Sequence, residues 1–182
     1  MKPLALCLTL TILCLLALSG CNDRQTGSLP VSEETAVTAI RLSDTDSFRR
    51  YLENGYPVVG KDAQMKNSPA YWAIVYDRPE IMKLLIDHGL DVNLDWGASG
   101  GNLLTNATQF GHTRVLGVLL DAGALTGRDS KLGRTPLYSA IVYRQTEAEA
   151  LLIKHGAKLN QWDRDALATL GIAPPAKATP AP

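Results

Sequence analysis

Gly55, Gly89, Gly123 and Gly156 are spaced by 34, 34 and 33 residues, and each closes a run with apolar residues at helical spacing: FRRYLENG, MKLLIDHG, LGVLLDAG and EALLIKHG. Sixteen residues before each glycine stands an alanine: Ala39, Ala73, Ala107 and Ala140. Around them lie ETAVTAI, SPAYWAI, NLLTNAT and TPLYSAI. Units this short cannot bury an apolar face alone, so they must stack on one another, and the stack dictates the fold.

Each unit reads as two helices. Thr135 and Pro136 predict a helix start, the hydroxyl as cap and the proline in the first turn. Alanine in mid-helix lets neighbouring helices approach closely. Gly111 suits a left-handed end to the first helix. Thr146 and Glu149 predict a capping box for a second helix, and Pro79 fits the equivalent first turn. Leu84/Leu85, Leu119/Leu120 and Leu151/Leu152 are the expected buried stripe. In the first unit Arg50 and Tyr51 take the places of Leu84 and Leu85, as expected of an end repeat whose outer face meets water.

The period, the segment RTPLYSA and the segment GHTRVLGVLLDAGA together resemble the ankyrin repeat. That resemblance implies an all-α ankyrin-repeat solenoid of about four helix-pair repeats, with short β-hairpin fingers and a C-terminal cap. Its units would be 34–60, 67–94, 101–125 and 134–160, with a cap at 161–172, in a domain covering 32–172. Late in the first helix, ankyrin repeats usually carry exposed, variable, often polar residues on a concave face. Here those pairs are Arg41-Leu42, Val75-Tyr76, Gln109-Phe110 and Val142-Tyr143. Leu42, Tyr76, Phe110 and Tyr143 then form a stripe that is either a partner-binding face or packing against the next helix. Arg134, at the end of the connection SKLGR, joins the expected partner-binding set. Trp96 and Trp162 fall near equivalent finger starts as partner anchors, although Trp162 would equally seal the last repeat. Trp72, inside a first helix, reads as partly buried packing.

The ends of the chain point to a location. Lys2 precedes an almost wholly apolar stretch of 15 residues, Leu4 to Leu18, which suits a secretory signal rather than a membrane span. Leu18-Ser19-Gly20-Cys21 resembles the lipobox of bacterial lipoproteins, which implies a signal at 1–20 and acylation of Cys21. A lipidated tether at 21–31 and a Pro/Ala-rich tail at 173–182 would flank the repeats. Asn22 favours the outer membrane's periplasmic leaflet over the inner membrane. Cys7 and Cys14 would leave with the signal, so no disulfide or cysteine-ligated metal is expected. Without Lys2 the chain carries 17 Lys or Arg against 18 Asp or Glu, which gives no electrostatic case for nucleic acid.

Catalysis finds little support. Gly97-Ala98-Ser99-Gly100-Gly101 fits G-x-S-x-G, but a nucleophile elbow needs a buried strand before it, and DVNLDW is too polar. The stretch reads instead as a connection between the second and third units. It is expected to be the loosest of the set, because the third unit lacks a threonine-proline start. His88 and His155 are two units apart, on the order of 20 Å at ordinary helix spacing, too far to share a metal ion. His112 matches the family's usual Gly-His. No cofactor is expected, no small-molecule substrate, and a monomer. A small lipoprotein of this kind resembles immunity proteins, some of whose ankyrin-type members look like those that neutralise phospholipase effectors of type VI secretion. The other readings are a stress or enzyme-support factor, resembling catalase-linked bacterial ankyrin proteins, and a serine hydrolase using Ser99.

Overall fold

The structure is a computed structural model that describes residues 32–59, 68–94, 101–127 and 134–175. All of these lie in one compact unit, Val31–Pro182. The described residues form nine helices and no strand: α1 (Glu33–Leu42), α2 (Thr45–Glu53), α3 (Pro69–Val75), α4 (Pro79–Asp87), α5 (Leu103–Phe110), α6 (Thr113–Asp121), α7 (Pro136–Val142), α8 (Thr146–Lys154) and α9 (Gln161–Thr169). They pack in two layers. The inner layer runs α1, α3, α5, α7 and the outer α2, α4, α6, α8, each helix against its neighbour in the layer and its partner in the repeat. Helix α9 packs on α7 and so continues the inner layer alone. The regions expected to hold the fingers, 60–67, 95–100 and 128–133, lie outside the described residues, and Cys21, Trp96 and Ser99 with them.

Every inner helix starts the same way. Ser32, Ser68, Asn102, Thr135 and Asn160 each accept a hydrogen bond from the backbone N–H three residues on, satisfying a donor the helix leaves orphaned. The proline after Ser68 and after Thr135 sits in the first turn, as expected. The third unit lacks the threonine-proline start, and the connection expected to be loosest lies largely outside the described residues. Asn102 Oδ1 accepts from Thr105 N–H at 2.8 Å, so it replaces the threonine-proline start without loss of the cap.

The four alanines mark the turn between layers. The first residue of each turn into the outer helix donates its N–H to an alanine carbonyl five residues back: Asp44 to Ala39, Arg78 to Ala73, His112 to Ala107 and Gln145 to Ala140, at 2.8–3.1 Å. These alanines are buried where both layers meet, and a larger side chain would push the layers apart. The residue before each donor is left-handed: Ser43, Asp77, Gly111 and Arg144, with φ of 59°, 49°, 72° and 55°. That same turn overturns one expectation. Gln145, not Thr146, is the N-cap of α8, and it makes no side-chain cap bond. Its N–H is drawn to Ala140, which pulls the helix start one residue early and leaves Thr146 already helical, so the Thr146–Glu149 box does not form.

Outer helices end in the other direction. The N–H of the residue after each closing glycine donates back to the backbone carbonyl of a buried residue: Tyr56 to Tyr51, Leu90 to Leu85, Ala124 to Leu119 and Ala157 to Leu152. Tyr51 is therefore buried in the core position, while Arg50 stays exposed, so only half of the expected polar substitution in the first unit faces water. Leu84, Leu85, Leu119, Leu120 and Leu152 are buried; Leu151 is half-buried, because among the described residues no further outer helix packs on α8. For the same reason Phe48, Met82 and Leu116 are fully enclosed, yet Glu149 holds the equivalent place in α8.

One buried carboxylate ties the cap to the last repeat. Asp163 accepts from the Thr135 hydroxyl (2.6 Å), the Thr135 N–H (3.3 Å) and the Asn160 N–H (3.3 Å), while its own N–H donates to Asn160 Oδ1 (2.7 Å). It chains the caps of α7 and α9 together. Asp163→Ala would strand the buried Thr135 donors, and we expect it to lower the unfolding free energy by about 3 kcal/mol in chemical denaturation. The inter-layer turn gives an opposed pair. Arg144→Gly relieves a left-handed non-glycine residue and should stabilise by about 1 kcal/mol. Gly111→Ala should destabilise, because its Cβ would also lie 2.5 Å from Gln145 Oε1.

Candidate functional site

The inner helices present one repeated face. Helical spacing puts residues four apart on the same side, so the stripe positions Leu42, Tyr76, Phe110 and Tyr143 share a face with Thr38, Trp72, Asn106 and Ser139. Each stripe residue immediately precedes the left-handed turn residue, which holds all four at one level of the array. Leu42 is 69% exposed, Tyr143 55% and Phe110 44%. Tyr76 is half-buried, stacked on Trp72 with ring centroids 5.7 Å apart and planes at 18°. Val75 and Val142 are half-buried beside them, and Gln109 is exposed.

A chain of rings crosses the middle of this face. Trp72 meets Tyr71 edge-on at 5.5 Å, Tyr71 meets Phe110 edge-on at 6.5 Å, and Phe110 stacks on His112 at 5.8 Å. Tyr71 and Trp72 belong to α3, Phe110 to α5, so the chain bridges adjacent repeats. Such pairs hold rigid apolar area at the surface with little rotamer entropy left to lose on contact. His112 is thus a stacking partner, and His88 Nδ1 lies 2.8 Å from the Leu84 carbonyl of its own helix. Among the described residues, no three His, Cys, Asp or Glu side chains gather as metal ligands would.

Two hollows flank the aromatic chain. The first, of about 490 Å³, lies between α1 and α3 and is lined by Glu33, Glu34, Val37, Arg41, Trp72 and Tyr76, among others. The second, of about 350 Å³, lies between α5 and α7 and is lined by Thr105, Gln109, Arg134, Tyr138, Ser139, Val142 and Tyr143. The Arg134 guanidinium lies over the Tyr138 ring, 4.4 Å from its centroid, and also meets the Tyr138 hydroxyl. The two hollows differ in charge: paired glutamates mark the first, and an arginine without a carboxylate among the described lining residues marks the second.

Four of the residues expected to bind a partner, Gln109, Arg134, Val142 and Tyr143, come together in the second hollow, and Tyr76 lines the first. Leu42 stands apart at the end of α1. Trp162 is 76% exposed on α9 and lines neither hollow, so it does not seal the last repeat. Tyr71, Trp72, Thr105, Tyr138 and Ser139 were not in the expected set. Counting back four and five residues from each stripe position finds them, because that is one helical turn on the same face.

Leu42, Phe110 and Tyr143 make few demands on the core. A triple replacement of these with serine should leave the helical circular dichroism nearly unchanged and lower the melting temperature by only about 5 °C, the cost of the Phe110 ring contacts. Trp72→Ala, which removes rings packed on both sides, should lower stability by about 1–3 kcal/mol.

A comparison with curated proteins finds no match. Two family models, each described as an ankyrin repeat, match residues 65–94 and 132–164. The first match covers α3 and α4; the second covers α7 and α8 and enters α9. With the same caps, turns and layers repeated in the units around α1–α2 and α5–α6, the described residues form an all-α ankyrin-repeat solenoid.

Proposed function

We propose that this chain is a lipid-anchored bacterial lipoprotein whose inner-helix face holds a protein partner, and that the partner is a toxin neutralised by occlusion. Ankyrin repeats indicate a protein partner. The observation that carries the binding face is the aligned row of exposed residues Leu42, Phe110 and Tyr143, in which Phe110 joins the ring chain that runs from Tyr76 to His112. Exposed apolar and aromatic residues aligned along one face, with Arg41, Gln109 and Arg134 on the same helices or beside them, support a protein interface. Aromatic anchors supply most of the binding energy in such interfaces.

The anchor rests on Leu18-Ser19-Gly20-Cys21, the lipobox-like segment. Several acyl chains on Cys21 would hold the repeats firmly at the periplasmic side of a membrane, the outer one by preference. A rigid scaffold tethered there meets an incoming phospholipase effector where that enzyme would act. Covering the effector's active-site mouth or membrane-docking surface needs no chemistry from the scaffold. Ser99 and Trp96 then sit in a connection that touches the partner, with Trp162 as a further contact.

Two experiments test this. Cys21→Ser should abolish incorporation of labelled palmitate and release the protein from the membrane fraction; retention of both label and membrane association would reject acylation at Cys21. The Leu42, Phe110 and Tyr143 triple serine variant should lose co-purification with the product of an adjacent lipase-like gene and lose protection of cells against it. Ser99→Ala should retain both. Capture of a catalase-type enzyme instead would favour the enzyme-support reading, and esterase activity that Ser99→Ala abolishes would favour a hydrolase.

A further inference from the structure

The hollow between α5 and α7 holds a polar group without a partner. Thr105 is only 4% exposed, and its hydroxyl makes no hydrogen bond in the structure. A buried, unsatisfied hydroxyl is costly, and folded chains seldom keep one without a use. At the same position α1 carries Val37, and α3 and α7 carry tyrosines whose hydroxyls lie at the far end of a ring, so the repeat does not require a hydroxyl next to the backbone there. Thr105 instead lines the same hollow as Arg134, Gln109 and Ser139.

We infer that this hollow is a carboxylate subsite, which receives an acidic side chain or a chain-terminal carboxylate of the partner protein; the inference rests on the binding-face reading above. The donors match that chemistry. Arg134 offers a planar fork that pairs with the two oxygens of a carboxylate, and it is held in place over the Tyr138 ring. The exposed Gln109 amide is a further donor to an anion, and the enclosed Thr105 hydroxyl becomes one when its side chain turns toward the hollow. Among the described lining residues no Asp or Glu repels one. A single guanidinium balances one negative charge, which suits a carboxylate better than a doubly charged phosphate. Val142 and Tyr143 form an apolar wall for the methylene stem of the incoming group. The other hollow sets Glu33 and Glu34 against Arg41 and is acidic on balance, so the partner's acidic group is placed toward α7 rather than α1.

The test is a nuclear magnetic resonance titration of the purified full chain with three short peptides: acetyl-Tyr-Glu-amide, acetyl-Tyr-Gln-amide and acetyl-Tyr-Gln with a free terminal carboxylate. At least one carboxylate-bearing peptide should shift the Thr105 methyl and Arg134 Nε–H signals at concentrations where the neutral amide does not, and the stronger of the two names the source. Arg134→Gln and Thr105→Val should each weaken that response about tenfold. Thr105→Val should melt no lower than the parent, because it removes an unpaired hydroxyl rather than a bond. An absent response, an equal response to the neutral peptide, or one that survives Arg134→Gln overturns the carboxylate assignment. If the triple serine variant still loses its partner in that case, the binding face stands and only the subsite falls.

Discussion

Each outer helix is folded back on its inner helix by one backbone hydrogen bond, from the residue entering the outer helix to the carbonyl of a buried alanine. Much else follows from that bond. It forces the preceding residue into the left-handed region, and it ends all four inner helices at the same level. The residue just before the left-handed position is therefore displayed at the lip of every repeat. Leu42, Tyr76, Phe110 and Tyr143 owe their alignment to this turn rather than to any contact among themselves.

The ends of the array show the same physics with neighbours removed. Helix α9 extends only the inner layer, so α8 has one flank open and carries Glu149 where earlier outer helices bury Phe48, Met82 and Leu116. Helix α9 is secured by the fully buried Leu167 and by Asp163, whose carboxylate gathers the Thr135 and Asn160 donors. A buried carboxylate with its acceptors filled by donors from two helix starts fixes their relative position in a way that leucines alone do not.

The inner-helix face is uniform in backbone and uneven in chemistry. Rings fill the centre, from Tyr76 and Trp72 to Phe110, where α3 and α5 adjoin. The flanking grooves stay open because smaller side chains, Thr38 and Ser139, stand where Trp72 does. Conserving the scaffold while varying these positions lets one fold present different surfaces.

The period of 33 and 34 residues, the alanines and the closing glycines determined the solenoid and the helix pairing, because spacing and local hydrogen bonding act within one unit. The stripe was legible for the same reason, as was Thr135-Pro136 as a helix start. The Thr146–Glu149 capping box was misread because a bond from the turn, not the local side chains, sets where α8 begins. Tyr51 as a buried residue was also decided by packing, whereas the Asn102 cap is a local bond to the Thr105 N–H. Only the tertiary structure brought Thr105 to Arg134, Asp163 to Thr135 and Tyr71 to Phe110, pairs that stand 29, 28 and 39 residues apart. Such pairs leave no periodic trace, since they depend on how one repeat's side chains lie against the next.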